Sequence, residues 1–99
     1  MDYLKKYSIL DEQIEELKKL YNDSIIDFLS ENQIFVEETI SYLQSENFNF
    51  IYEMLSNNIK IFLETKVALQ EKIEKMKLQK LSYKVIQMIL IDEELYSKI

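Results

Sequence analysis

The chain contains no glycine and no proline. Two-residue hairpin turns then lack the residues that take positive φ without steric cost, so an antiparallel sheet is hard to build. Helices joined by short polar turns need neither residue. The expected class is all-α. With 47% hydrophobic and 30% charged residues, the 99-residue chain reads as one folded domain over 1–99.

Hydrophobic periodicity supports that class. Apolar residues return every seven positions at Phe48, Leu55, Phe62, Leu69, Met76, Tyr83 and Leu90. Seven residues make two helical turns, so these side chains share one seam. Tyr3, Tyr7, Leu10, Ile14, Leu17 and Tyr21 alternate spacings of four and three; Ile26, Leu29, Gln33, Val36, Ile40 and Leu43 continue in the same manner. Polar breaks at Asn22-Asp23-Ser24, Ser45-Glu46-Asn47 and Leu81-Ser82 divide the chain into helices over 3–21, 25–45, 48–80 and 83–98. Such short connections predict an antiparallel bundle of three to four helices. Three refinements stay open. Ser8 with Asp11 can cap a later first helix, Ser30 with Gln33 can restart the second, and Asn57-Asn58 can bend the third. Val85–Ile91 is rich in β-branched residues but has no partner strand, and is read as a helix.

The available chemistry is narrow. The chain also lacks Cys, His, Trp and Arg. Thiol nucleophiles, imidazole bases and the usual zinc ligands are therefore missing, as are phosphate-binding glycine loops. Carboxylates at i and i+4, as in Asp23 with Asp27 or Asp11 with Glu15, read as solvated helix faces. Neither an enzyme nor a resident metal or cofactor is expected.

Charge is unevenly distributed within the net −6. Residues 1–53 hold twelve acids and four lysines, whereas residues 54–99 hold six acids and eight lysines. From Tyr21 to Ile59 there is no lysine. Either the two halves lie alongside each other, or an acidic face built from Asp27, Glu31, Glu37, Glu38 and Glu46 meets a basic partner. The lysines at 72–84 do not share one helix face and have no arginine beside them, so direct nucleic-acid binding is not expected.

Seven tyrosines and five phenylalanines supply aromatic surface of the kind enriched at interfaces. The cluster Phe48, Phe50, Ile51 and Tyr52 is too wide for one buried stripe. The run around Val85, Met88, Ile89 and Ile91 is apolar nearly all round. Both are candidate partner-binding sites, with burial in the core as the other reading.

The stretch Thr39-Ile40-Ser41-Tyr42-Leu43-Gln44-Ser45-Glu46-Asn47-Phe48-Asn49-Phe50-Ile51-Tyr52-Glu53-Met54-Leu55 resembles the helix–turn–helix of small flagellar type III export chaperones. Ile91-Asp92-Glu93-Glu94-Leu95 is similar to a late segment of that family. Asn57-Asn58 stands where the family often has a basic residue. The resemblance implies a cytoplasmic helical bundle that binds helical tails of its substrates.

The residues and the resemblance lead to one expectation: a protein–protein interaction module, a small cytoplasmic chaperone or adaptor that takes an amphipathic helix of a partner. An acidic inhibitor of phage type, which mimics nucleic acid to block a nucleic-acid-binding protein, is the alternative. A homodimer using the apolar surface as its own interface is a third expectation. No run approaches the roughly 20 apolar residues of a membrane span, and no apolar leader core follows Met1–Lys6, so neither membrane nor export is expected.

Overall fold

The computed structural model describes residues 1–99, and helix is its only regular structure. A 3₁₀ segment, Asp2–Tyr7, precedes eight α-helices: α1 (Asp11–Leu20), α2 (Asp23–Glu31), α3 (Gln33–Ser45), α4 (Ile51–Asn57), α5 (Lys60–Leu63), α6 (Lys66–Leu78), α7 (Tyr83–Leu90) and α8 (Glu93–Ser97). Each of the four expected long helices is therefore interrupted.

The interruptions have local causes. Ser8 takes φ 64°, which ends the first segment, and the extended Leu10 donates its N–H to Gln13 Oε1 at 2.9 Å to start α1. The seam slips by one residue there, so Ile9 is buried and Leu10 is exposed. Asn32 alone separates α2 from α3; its Nδ2 donates to the Phe28 carbonyl at 2.9 Å. Such side-chain bonds to backbone compete with continuation of a helix. The expected helix over 48–80 is split twice. Asn58 ends α4 with φ −149°, and Thr65 caps α6 by accepting from Ala68 N–H at 3.2 Å. Ser82 and Asp92 cap α7 and α8 in the same way, through Val85 N–H and Leu95 N–H.

The absence of glycine shows at the helix ends. Left-handed backbone falls on Ser8, Asn47 and Lys80 instead. Asn47 and Lys80 follow α3 and α6, where Phe48 N–H reaches the Leu43 carbonyl at 2.9 Å and Leu81 N–H reaches the Met76 carbonyl at 3.2 Å. That six-to-one closure is the usual helix stop in which glycine is preferred.

The seam outlasts the helices. Phe48, Leu55, Phe62, Leu69, Met76 and Leu90 are all buried, although four helices and the segment before α4 contribute them; only Tyr83 is exposed. They join a core cluster of 22 residues that runs from Tyr3 to Tyr96. Around it α1 packs on α4, α3 on α5 and α6, and α7 on α8. The radius of gyration, 13.1 Å, is that of a compact chain of this length.

Most tyrosines act as ties between distant segments. Tyr3 donates to the Leu29 carbonyl at 2.6 Å and Tyr52 to Glu16 Oε2 at 2.6 Å. Tyr21 donates to the Leu55 carbonyl, Tyr83 to the Asn47 carbonyl, and Tyr96 to Glu64 Oε2 at 3.1 Å. The buried Tyr3 hydroxyl needs such a partner, and the other four bonds also join segments more than 30 residues apart, so this part of the aromatic content serves the fold. Burial pushes Tyr3 and Tyr21 up to about 12.

Candidate interaction surfaces

The two apolar candidates separate in the structure. Phe48 and Ile51 are 1% and 2% exposed and belong to the core. Phe50 and Tyr52 are half-buried against it. The binding reading of Phe48 and Ile51 is therefore corrected to core, whereas Phe50 and Tyr52 leave the cluster partly exposed. Its width is explained by a non-helical stretch, Phe48–Phe50, followed by the first turn of α4, which together cover more than one stripe. Thr39–Leu55 does form helix, turn and helix, with α3 ending at Ser45 and α4 beginning at Ile51.

The α7 segment behaves differently. Ile86 and Leu90 point into the core, while Val85 and Met88, 40% and 55% exposed, lie one turn apart on the outer side. Ile89 and Ile91 are half-buried at the border between the two sides. Of nine large hydrophobic residues that are exposed, six fall between Val67 and Leu95. The apolar surface is thus concentrated in the C-terminal third.

The five acidic candidates are not gathered on one free face. Glu37, on α3, accepts from Tyr7 Oη at 2.5 Å, from Gln33 Nε2 at 2.8 Å and from Lys6 Nζ at 3.2 Å. The Tyr7 hydroxyl is the main reason its carboxyl sits below the ordinary range, with Gln33 and Lys6 adding to the effect. Glu46 accepts from Lys77 Nζ at 2.7 Å, the one ion pair that joins the acidic half to the basic half. These two carboxylates are engaged internally. Asp27, Glu31 and Glu38 are exposed and have no ion-pair partner. Asp11, considered with Glu15 as a carboxylate pair, is bridged by Lys5 at 2.7 Å, and Glu15 by Lys18 at 3.3 Å.

Two open depressions run along α3. One, of about 560 Å³, is lined by Tyr7, Glu37, Ser41, Tyr42, Ser45 and Lys66. The other, of about 530 Å³, wraps the elbow between α2 and α3 and is lined by Glu31, Asn32, Gln33 and Phe35. Ile34 and Glu38 line both. Ile34 is 77% exposed and lies off the seam that Leu29, Val36 and Ile40 define, so periodicity does not single it out. The available signal was that Ile34, alone in the apolar run Ile34-Phe35-Val36, falls outside the helix's widened seam.

No helix is long and apolar enough to cross a membrane. The chain matches no protein-family model, no curated protein and no solved structure, and none of these comparisons identifies the export-chaperone family.

Proposed function

We propose that this protein is a non-enzymatic interaction module, a small cytoplasmic chaperone or adaptor that binds an amphipathic helix of a partner protein. In this reading the helices form the walls of an antiparallel bundle, and the outer side of α7 is the docking face. The observation that carries it is the division of α7, in which Ile86 and Leu90 fix the helix to the core while Val85 and Met88 stand in solvent. A fixed helix with an apolar outer strip offers a partner helix an anchor that needs no ordering on binding. The unbranched thioether of Met88 adapts to differently shaped apolar side chains. The role is of the kind that the export-chaperone resemblance implies.

The test compares capture from source lysate by the native chain and by a Val85→Lys/Met88→Lys variant. The reading expects a protein retained by the native chain and lost by the variant, with circular dichroism unchanged. The retained protein should bind through a segment with an apolar helical stripe. Equal retention by both chains would remove α7 from the function. A native chain that is dimeric in light scattering, and monomeric in the variant, would assign the face to self-association.

The acidic-inhibitor reading keeps one supporting observation. Asp23, Asp27 and Glu31 succeed one another at four-residue intervals on α2, about 6 Å apart along the axis, all exposed and without ion-pair partners. Its measure is binding to a nucleic-acid-binding protein that weakens steeply with salt.

A further inference from the structure

We propose that the elbow between α2 and α3 receives an arginine side chain from a basic, amphipathic segment of a partner protein. The elbow presents oxygen acceptors. Glu31 and Glu38 are exposed carboxylates with no ion-pair partner, and no basic residue lines this depression. The two amides between them are oriented by bonds already made. Asn32 Nδ2 is held by the Phe28 carbonyl and Gln33 Nε2 by Glu37, which leaves both amide oxygens without a donor. Two carboxylates and two amide oxygens around one hollow form a lining that calls for a cation with several N–H groups.

The rest of the lining is apolar. Phe35 is fixed by an edge-to-face contact with Phe28, ring centroids 5.7 Å apart at 89°, and Ile34 stands beside it. A bare metal ion would leave this half of the hollow unused, and about 530 Å³ far exceeds what one ion occupies. A guanidinium suits both halves. It donates in a planar fork to carboxylates and lies on aromatic faces, whereas an ammonium is a compact, strongly hydrated charge. An apolar neighbour of that arginine in the partner would cover Ile34. The chain itself contains no arginine, so the occupant comes from another protein.

The probe is the peptide acetyl-Leu-Arg-Ala-Leu-Arg-Ala-amide, titrated into the full ¹⁵N-labelled chain, with lysine and glutamate versions as controls. Amide shifts should centre on residues 31–38, and the arginine peptide should bind more tightly than the lysine peptide; the glutamate peptide should not bind. Glu38→Gln and Ile34→Ser, both at exposed positions, should each weaken binding about five-fold. Glu53→Gln, at an exposed acid outside the elbow, should leave it unchanged. The proposal is overturned by shifts spread over all acidic surfaces, by equal losses from Glu38→Gln and Glu53→Gln, or by no shifts at the elbow. Elbow shifts that depend on protein concentration without peptide would also overturn it, in favour of a second copy of the chain.

Discussion

The Tyr83 ring lies parallel to that of Phe48, with centroids 4.9 Å apart and planes within 2°. These residues are the first and sixth members of the seven-residue series, 35 positions apart in the chain. Tyr83 opens α7, and its hydroxyl also donates to the Asn47 carbonyl, so one side chain fastens α7 to the turn after α3. Stacked pairs contribute about 0.5–1.5 kcal/mol beyond buried area, and a hydrogen bond about 1 kcal/mol. Tyr83→Ala should therefore cost about 1–2 kcal/mol. Phe48→Ala, which also opens a cavity in the core, should cost about 3–5 kcal/mol. Urea unfolding of the two variants and their double mutant should give a coupling near 1 kcal/mol; additive losses would mean that the stack contributes nothing.

Lys80 closes α6 in the left-handed region, φ 59°, where a side chain's Cβ meets the following carbonyl. Lys80→Gly removes that strain but adds freedom to the unfolded chain, and the balance should favour the fold by about 0.5–1 kcal/mol. Asn47→Gly should gain less, because asparagine tolerates this conformation better than lysine does. A rise of a few degrees in melting temperature for Lys80→Gly, exceeding that for Asn47→Gly, is the expected result.

The seven-residue series was legible because burial follows phase, and phase survives a break in the backbone. It passes through the Asn58 and Thr65 breaks with its apolar members still buried. What the series concealed was the breaks themselves. Asn32 and Asn58 stop helices by bonds to specific carbonyls, and Ser8 does so by its dihedral angles; periodicity carries no information about any of these. Ser8–Asp11, as a later helix start, and Asn57-Asn58, as a bend, nevertheless marked the neighbourhood of two breaks, although Leu10 and not Ser8 precedes α1. For the candidate sites, the apolar run around α7 was legible, but not which of its sides faces outward, nor that Phe48 and Ile51 would be enclosed, since that depends on a non-helical turn. Glu37 and Glu46 looked free because their partners, Tyr7, Lys6 and Lys77, are about 30 residues away in sequence.

Asn58 and Thr39 are the two buried polar side chains, and each keeps an oxygen without a partner. They should respond oppositely to removal. Asn58 Nδ2 donates to the Leu90 carbonyl at 3.0 Å and ties α7 to the end of α4. Asn58→Ala strands that carbonyl and should cost about 1–3 kcal/mol, with faster amide exchange in α7 and α8. Thr39→Val deletes a buried hydroxyl that bonds to nothing and keeps the branched shape, so stability should hold or rise by up to about 1 kcal/mol. A loss on Thr39→Val comparable to that of Asn58→Ala would show that the hydroxyl is satisfied.

Glu37 and Tyr7 titrate as partners. Their bond lowers the Glu37 carboxyl, while burial first, then Glu37, pushes Tyr7 up to about 12. Because the folded carboxyl lies below its unfolded value, its stabilisation is complete above the ordinary carboxylate range and fades as pH falls through the folded pKa. For Tyr7 the sign reverses: stability is complete below about pH 10 and declines as pH rises towards 12. Tyr7→Phe should return the Glu37 titration, followed by carboxyl ¹³C shifts, towards the ordinary range and remove its part of both declines. An unmoved Glu37 titration would mean that Gln33 and Lys6 hold the carboxylate without Tyr7.

The two sides of α7 make opposite predictions for stability, and the contrast bears directly on function. Ile86→Ala and Leu90→Ala truncate buried side chains and should cost about 2–5 kcal/mol each, with Leu90, fully buried, towards the upper end. Val85→Ser and Met88→Ser change residues that stand in solvent and should stay within about 0.5 kcal/mol of the native chain. Residues that contribute little to the fold yet leave apolar surface in water fit a face that a partner covers. Urea unfolding of the four variants, with capture measured on the two serine variants, separates the roles. A Met88→Ser cost matching Leu90→Ala would make the outer strip part of the core, and the docking face would have to be sought elsewhere.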